Sequence, residues 1–379
     1  MGDRVHLVTG YPGFLGKRLV RRLLTDPRER PRRLVCLVQP KHLAAARADL
    51  ATLPAPEAEI LEGDVAHMHL GLSGAEWQAL AGEVTHVWHL AAKTRLSGGP
   101  AELRRVNVDG TRNVLELCAA ARSLERLMHF STAFVSGTRV GVILEDELAV
   151  GQRFHNAYEE TKFQAELLVR RAQSDLPATV LRPSIVVGDS RTGEIDRFDG
   201  PYALAILLVA SPLAVPLPLP GDAVAPLNVV PVDFVVDAAV AISRHPAGAG
   251  RTVHLVDPSP LSARRVYELI AARAGKRLPT ISVPHRLFQA LLQLPLLERL
   301  SPTHRPAIEY VNHLAIYNCR NLLDLLEGSG LRCPSIASYL DRLSEFVQLS
   351  LSRRKEPGRP AEPDDPLDRP FDRPLDPPA

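Results

Sequence analysis

The chain is short of cysteine. Its 379 residues include four, and Cys36, Cys118, Cys319 and Cys333 share no C-x-x-C spacing, which argues against both a zinc ligand set and a disulfide framework. Charge of one sign is also scarce: 45 Lys and Arg against 43 Asp and Glu leave a net charge of +2. That balance exerts no general pull on nucleic acid. An apolar leader is missing, since Gly2, Asp3 and Arg4 run directly into Val5, so no secretory signal is expected and a reducing cytoplasm is the simplest home. Nor does an apolar run free of helix breakers reach membrane length. The uncharged stretch Tyr202 to Pro220 comes nearest, but Pro212, Pro216, Pro218 and Pro220 crowd its second half and would break a spanning helix. It reads as buried or interfacial, either an acyl-chain pocket or an ordinary helix and loop under the core, and it leaves peripheral membrane contact open.

Glycine, by contrast, is placed with a pattern. In TGYPGFLG, Gly10, Gly13 and Gly16 follow the apolar stretch Val5 to Val8 and precede a helix-like stretch. A buried strand feeding a tight glycine turn and then a helix offers bare backbone N–H groups to a pyrophosphate, with no Cβ in the way. Such spacing is weak alone. It gains weight from YEETK (Tyr158 to Lys162) and from Ser131-Thr132 at the end of an earlier strand-like segment.

Strand-sized runs recur at Val5 to Val8, Leu34 to Val38, Glu59 to Leu61, His86 to Leu90, Leu127 to Ser131 and Ala178 to Leu181. Helical patterns fall at Phe14 to Leu24, His42 to Leu50, Ala75 to Ala81, Val108 to Ala121 and Tyr158 to Gln173. The alternation predicts an α/β fold, a Rossmann-type doubly wound parallel sheet with ligands beyond the carboxyl ends of its strands. Residues 1–183 would form this dinucleotide-binding part. Residues 184–351, with a further strand at Thr252 to Val256 and helices at Ala263 to Ala274 and Leu287 to Leu300, would form a smaller, mostly helical substrate-binding region returning strands to the sheet. Residues 352–379 are almost devoid of core-forming side chains and rich in Pro and Asp, the composition of an unstructured tail.

Cofactor choice should be set about twenty residues past the glycines, where an Asp or Glu would hold the ribose diol of NAD. No acid appears between Pro31 and Ala48. Gln39, then Lys41, His42 and Arg47, would set cations against a 2′-phosphate, which favours NADP(H) over NAD(H). Further on, Asp64 and Val65 in GDV are placed to receive the adenine, and Leu90, Ala91 and Ala92 offer small residues beside the nicotinamide ribose.

A hydride arriving at a carbonyl carbon builds charge on oxygen, and a positioned acid must deliver a proton. Tyr158 is the candidate donor. Lys162, one turn later, would favour its phenolate and reach the ribose, while Thr132 would hold the carbonyl oxygen. A Y-x-x-x-K by itself is most often an exposed helix pair, and the upstream glycines and hydroxyls reverse that reading. The pairs His67/His69 and His86/His89 lack a third ligand at useful spacing, so no metal is assigned. The basic series Lys17, Arg18, Arg21, Arg22, Arg28, Arg30, Arg32 and Arg33 reads as a solvated face, with docking of an acidic carrier or CoA phosphates as the alternative.

Taken together these residues resemble the extended short-chain dehydrogenase/reductase superfamily. Within it they are similar to the branch of fatty acyl-CoA reductases and the thioester reductase domains of carboxylic acid reductases and peptide synthetases. The narrower match rests on TGYPGFLG, VNVDGTRNVLELC (Val106 to Cys118), HFSTAFVSG (His129 to Gly137), NAYEETKFQAE (Asn156 to Glu166), LRPSIVVGDSRTGE (Leu181 to Glu194) and PVDFVVDAAV (Pro231 to Val240). The resemblance implies a catalytic set of Thr132, Tyr158 and Lys162. It implies cofactor contacts from Thr9, Gly10, Pro12, Gly13, Phe14, Leu15 and Gly16, from Gln39, Lys41, Asp64 and Val65, from Leu90, Ala91, Ala92 and Asn107, and from Ser131, Tyr158, Lys162, Pro183, Ser184 and Ile185.

The implied reaction is NADP(H)-dependent reduction of an acyl thioester, CoA- or carrier-bound, to aldehyde and in a second step to alcohol. The chain departs from the branch at Gln39, where an arginine is usual. No adenylation or carrier segment precedes Val5, so the thioester is expected to arrive from another molecule. Two other readings stand beside this one: an extended-family dehydrogenase or epimerase acting on a sterol-like or nucleotide-sugar substrate, and a non-catalytic cofactor sensor. Oligomeric state is not legible.

Overall fold

The computed structural model describes residues 3–53, 57–94, 99–196, 223–273, 275 and 313–354. Its strands are β1 (Val5–Thr9), β2 (Arg33–Val38), β3 (Ala58–Glu62), β4 (His86–His89), β5 (Arg126–Phe130), β6 (Gly141–Ile143), β7 (Ala178–Pro183), β8 (Ile185–Val187), β9 (Val229–Pro231), β10 (Thr252–Leu255) and β11 (Ala315–Tyr317). Its helices are α1 (Phe14–Thr25), α2 (Leu43–Leu50), α3 (Gly74–Glu83), α4 (Gly99–Arg104), α5 (Gly110–Ala120), α6 (Ala157–Ala172), α7 (Val232–Arg244), α8 (Ala263–Arg273), α9 (Arg320–Leu326) and α10 (Ile336–Arg354).

Seven strands make one parallel sheet in the order β3-β2-β1-β4-β5-β7-β10. The chain winds outward from β1 to β3, then restarts at β4 on the other side of β1. That reversal opens a crevice beyond the carboxyl ends of β1 and β4, where a doubly wound sheet takes its ligands.

Because successive residues of a strand point to opposite faces, each central strand feeds two cores and reads as unbroken apolar sequence. Val8, Cys36, Met128, Leu181 and Leu255 face Leu19 and Leu23 of α1, Val235 and Ala239 of α7 and Leu322 of α9. Leu7, Val35, Val87, Leu127 and Val180 face Leu80 of α3, Val114 and Leu117 of α5 and Val169 of α6. A third cluster, Val187, Val229, Tyr267, Ile270, Tyr339 and Leu343, joins α8 and α10 to the short β8–β9 sheet that continues from β7. Burial of each large aliphatic side chain contributes roughly 1.5–3 kcal/mol.

The expected strands and helices are present with ends shifted by at most two residues. The Tyr202 to Pro220 stretch and the Leu287 to Leu300 helix lie outside the described residues. The final helix continues to Arg354 and so extends into the expected tail. Helix α7 emerged from a segment read only as a motif. Among the described residues, no helix is long and apolar enough to cross a membrane, and no group of His, Cys, Asp and Glu could hold a metal.

Candidate active site

Gly10 leaves β1 with φ +85°, and a Cβ there would come within 2.7 Å of Ala91 N. At Gly13 and Gly16 a Cβ would meet the Gly10 carbonyl oxygen at 2.7 and 2.6 Å. The turn therefore closes only with glycine at all three positions. Gly13 N donates to Gly10 O at 2.9 Å, and no side chain caps α1. The amides of the first α1 turn, contributed by Phe14, Leu15 and Gly16, have no helical acceptor and carry the positive end of the helix dipole. These residues fit a pyrophosphate. Pro12 lies in the same turn, and Tyr11, a residue the sequence did not flag, braces it by donating to Asp49 Oδ2 at 2.7 Å.

A buried relay ties this turn to β4. Thr111 Oγ1 donates to Asn107 O at 2.6 Å, so it accepts from His89 Nε2 at 3.0 Å. That leaves His89 Nδ1 to accept from Thr9 Oγ1 at 2.9 Å, and Thr9 Oγ1 in turn accepts from Ala91 N at 3.2 Å. Burial, with the charge of Lys162 second, holds the His89 pKa down to about 3, so the ring is neutral and its tautomer is set by its neighbours. His89 is thus a scaffold residue. Leu90, Ala91 and Ala92 remain partly exposed beside the glycine turn.

At the tip of β2, Gln39 is partly exposed, and Lys41 and Arg47 are exposed. Asp64 Oδ1 accepts from Ala66 N at 2.9 Å within its own turn. Asn113, unflagged in the sequence, stitches this loop to α5 by donating to the carbonyls of Val65 and His67 at 2.7 and 2.9 Å. The basic series is largely consumed in ion pairs: Arg18 with Asp196, Arg22 with Asp26 and Asp237, Arg30 with Glu57, and Arg33 with Glu59 and Glu83.

Thr132 and Tyr158 come together at the carboxyl end of β5. Asn156 caps α6 by accepting from Glu159 N at 3.0 Å, which places Tyr158 in the first turn, hydrogen-bonded to Thr132. Burial pushes the Tyr158 phenol up to about 12, the Thr132 hydrogen bond opposes this, and the Glu159 carboxylate adds to it. The sequence-based expectation that Lys162 would favour the phenolate is therefore corrected: burial, the Thr132 hydrogen bond and Glu159 set the phenol, not the ammonium. The reason is visible in the geometry, since Lys162, 3% exposed, donates from Nζ to Phe130 O at 2.7 Å. Burial lowers its own pKa to about 8, with Glu166 opposing.

Other expected contacts are occupied by the scaffold. Asn107 spends its amide on Lys93 O and Thr161 Oγ1, both at 3.0 Å, and its oxygen on Lys93 N at 2.7 Å. Ser131 Oγ donates to Glu166 at 2.7 Å and Ser184 Oγ to Asn228 at 2.8 Å. Pro183 is buried and Ile185 partly exposed.

A glycine turn at the switch point of a doubly wound sheet, with a hydroxyl, a phenol and an ammonium at the adjacent strand end, defines the class as an NAD(P)-dependent oxidoreductase of the extended short-chain dehydrogenase/reductase type. The chain belongs to the male sterility protein family, whose model matches residues 8–239. It is 30% identical over 289 residues, 71% of its length, to a linear gramicidin synthase from Brevibacillus parabrevis. It is 28% identical over 280 residues, 63% of its length, to the fatty acyl-CoA reductase wat of Drosophila melanogaster. The chain spans 5% of the first relative and 54% of the second. Among solved structures, the terminal R domain of the myxalamid biosynthetic pathway superposes with a TM-score of 0.78 at 29% identity, covering 93% of this chain and 92% of that one. The UDP-glucuronic acid 4-epimerase of Bacillus cereus, at 18% identity and a TM-score of 0.65 over 91% of this chain and 99% of that one, shares the fold.

Proposed function

We propose that this chain reduces an acyl thioester, CoA- or carrier-bound, to the aldehyde with NADPH as the reductant. The observation that carries the reading is the Thr132–Tyr158 pair, with the buried Lys162 one turn further along α6, and a glycine turn that admits no Cβ. The relative named as a fatty acyl-CoA reductase supports the thioester class.

The cofactor, when bound, supplies a hydride. Gly10 to Gly16 and the α1 amides would hold its pyrophosphate, Asp64 and Val65 its adenine, and Gln39 and Lys41 its 2′-phosphate. With a phenol pKa near 12, Tyr158 is fully protonated at neutral pH and stands ready as an acid. As charge builds on the carbonyl oxygen, Tyr158 delivers its proton while Thr132 keeps the oxygen in line. Lys162, one turn further along α6, would reach the bound ribose. One hydride and one proton are thereby added to the acyl carbon and oxygen, and the tetrahedral hemithioacetal collapses to aldehyde and free thiol.

Incubation of the purified chain with NADPH or NADH and a panel of acetyl-, octanoyl- and palmitoyl-CoA, the matching pantetheine thioesters, aldehydes, sterols and nucleotide sugars separates the readings. NADPH oxidation that depends on a thioester, with aldehyde and thiol released in equal amounts, is the expected result. Turnover restricted to secondary alcohols or sugars would instead assign a dehydrogenase or epimerase, and tight cofactor binding without turnover a sensor.

A further inference from the structure

Glu166 is fully buried and stands one turn beyond Lys162 on the same face of α6. It meets Arg182, itself 1% exposed, at 2.7 Å and Arg170 at 3.0 Å. Burial alone would raise its pKa, but the two guanidinium groups and the Ser131 hydroxyl reverse that and hold it ionised. Its other oxygen accepts from Ser131 Oγ at 2.7 Å. Lys162 meanwhile holds Phe130 O at 2.7 Å. Side chains of α6 at positions 162 and 166 thus grip two consecutive residues at the end of β5, and the next residue along is Thr132. Arg182 extends the anchor across the sheet, donating to Glu147 O at 2.8 Å and to His254 Nε2 at 3.1 Å. His254 in turn donates from Nδ1 to Asn318 O at 2.6 Å.

We propose that Glu166, locked by Arg182, is a positioning residue for the reduction: through Ser131 it sets Thr132 against Tyr158. The inference rests on the reading of Thr132, Tyr158 and Lys162 as the reacting groups. A carboxylate placed only for stability would have no need to reach Ser131, because its two arginines already neutralise it.

The groups facing Lys162 are Tyr158 and Glu166 from its own helix, His89 from β4 and His129 from β5, both histidines kept neutral by burial. Glu166 faces Arg170 and Arg182, with His254 beyond, also neutral. Glu166 is therefore the nearby anion that favours the protonated amine. Removing its charge lowers the Lys162 pKa, and the two arginines left behind act in the same direction.

The test uses the full chain with NADPH and whichever thioester of the panel above the wild type turns over best. Ser131→Ala should lower kcat about tenfold while KM for thioester and NADPH stays within about twofold, with no change in the pH profile, since a small displacement of a reacting group costs rate before affinity. Glu166→Gln should lower kcat similarly and bring the alkaline fall in kcat to lower pH. Wild-type kcat in Ser131→Ala, or in a folded Glu166→Gln, overturns the proposal. If Glu166→Gln does not fold, Ser131→Ala decides. Tyr158→Phe run alongside keeps the two claims apart: full activity there removes the catalytic reading itself, whereas an inactive Tyr158→Phe beside a normal Ser131→Ala removes only the positioning role.

Discussion

Tyr158 carries the chemistry proposed for this chain, and its surroundings make it an acid and not a base. Replacing it with phenylalanine removes the transferable proton while leaving the glycine turn intact. Tyr158→Phe should lower kcat by about 10²–10⁴-fold, the usual range for a lost general acid, with NADPH affinity nearly unchanged in a fluorescence titration. Lys162 adds a pH dependence of known sign. Its folded pKa, brought down to about 8 by burial, lies below that of the unfolded chain, so kcat should decline as pH rises through about 8. Stability should move the other way between about 8 and the unfolded value, because the folded state binds fewer protons there. A kcat profile flat from pH 7 to 10 would count against an ammonium at this site. Thr9 shows how a small hydroxyl does scaffold work: Thr9→Val leaves His89 Nδ1 and Ala91 N without partners and should cost about 1–3 kcal/mol in urea unfolding, together with weaker NADPH binding.

The β1–turn–α1 unit binds because its backbone does. Gly10→Ala would drive a methyl group against the backbone after β4, at a positive φ that alanine avoids. NADPH affinity measured by calorimetry should be lost in that variant. Packing on the other side of α1 is a separate matter, and Leu23, fully buried between α1 and the sheet, predicts a loss of about 2–5 kcal/mol for Leu23→Ala with an unaltered KM for NADPH. The main strands and helices were legible because their apolar runs and helical periods are long enough to repeat. The pairs β6–β11 and β8–β9 span three residues each, too few to display an alternation. Helix α7 buries nine of its thirteen residues, from Val232 and Phe234 through Ile242 and Ser243, and its polar stripe is only Asp233, Asp237 and Arg244, a period easily passed over inside an apolar run.

The cofactor crevice draws on β1, β2, β4 and β5 at once, so ligand binding should stabilise the sheet as a unit. NADPH at a hundred times its dissociation constant should raise unfolding free energy by about 2.7 kcal/mol, read as an upward shift in thermal midpoint. NADH at equal concentration should shift it less, and Gln39→Arg should widen the difference by adding a bidentate partner for the 2′-phosphate. An equal response to both cofactors in wild type and variant would place the phosphate site elsewhere.

The alternation of strands and helices, the glycine turn and the tyrosine–lysine pair could all be read along the chain, because each depends on residues close in sequence whose spacing obeys a helical turn, a strand alternation or a tight bend. The His89 relay and the Glu166–Arg182 anchor could not. Their members lie on separate strands and helices, and a buried hydrogen bond or ion pair leaves no local period; it exists only once the chain has closed and each polar atom must find the partner that water no longer provides. Glu166 did leave one faint trace, an acid one turn past Lys162, and Arg182 another, a lone charge in an apolar strand. Folding gave those traces their meaning by withdrawing both groups from solvent and pairing them beside Ser131, the residue before Thr132.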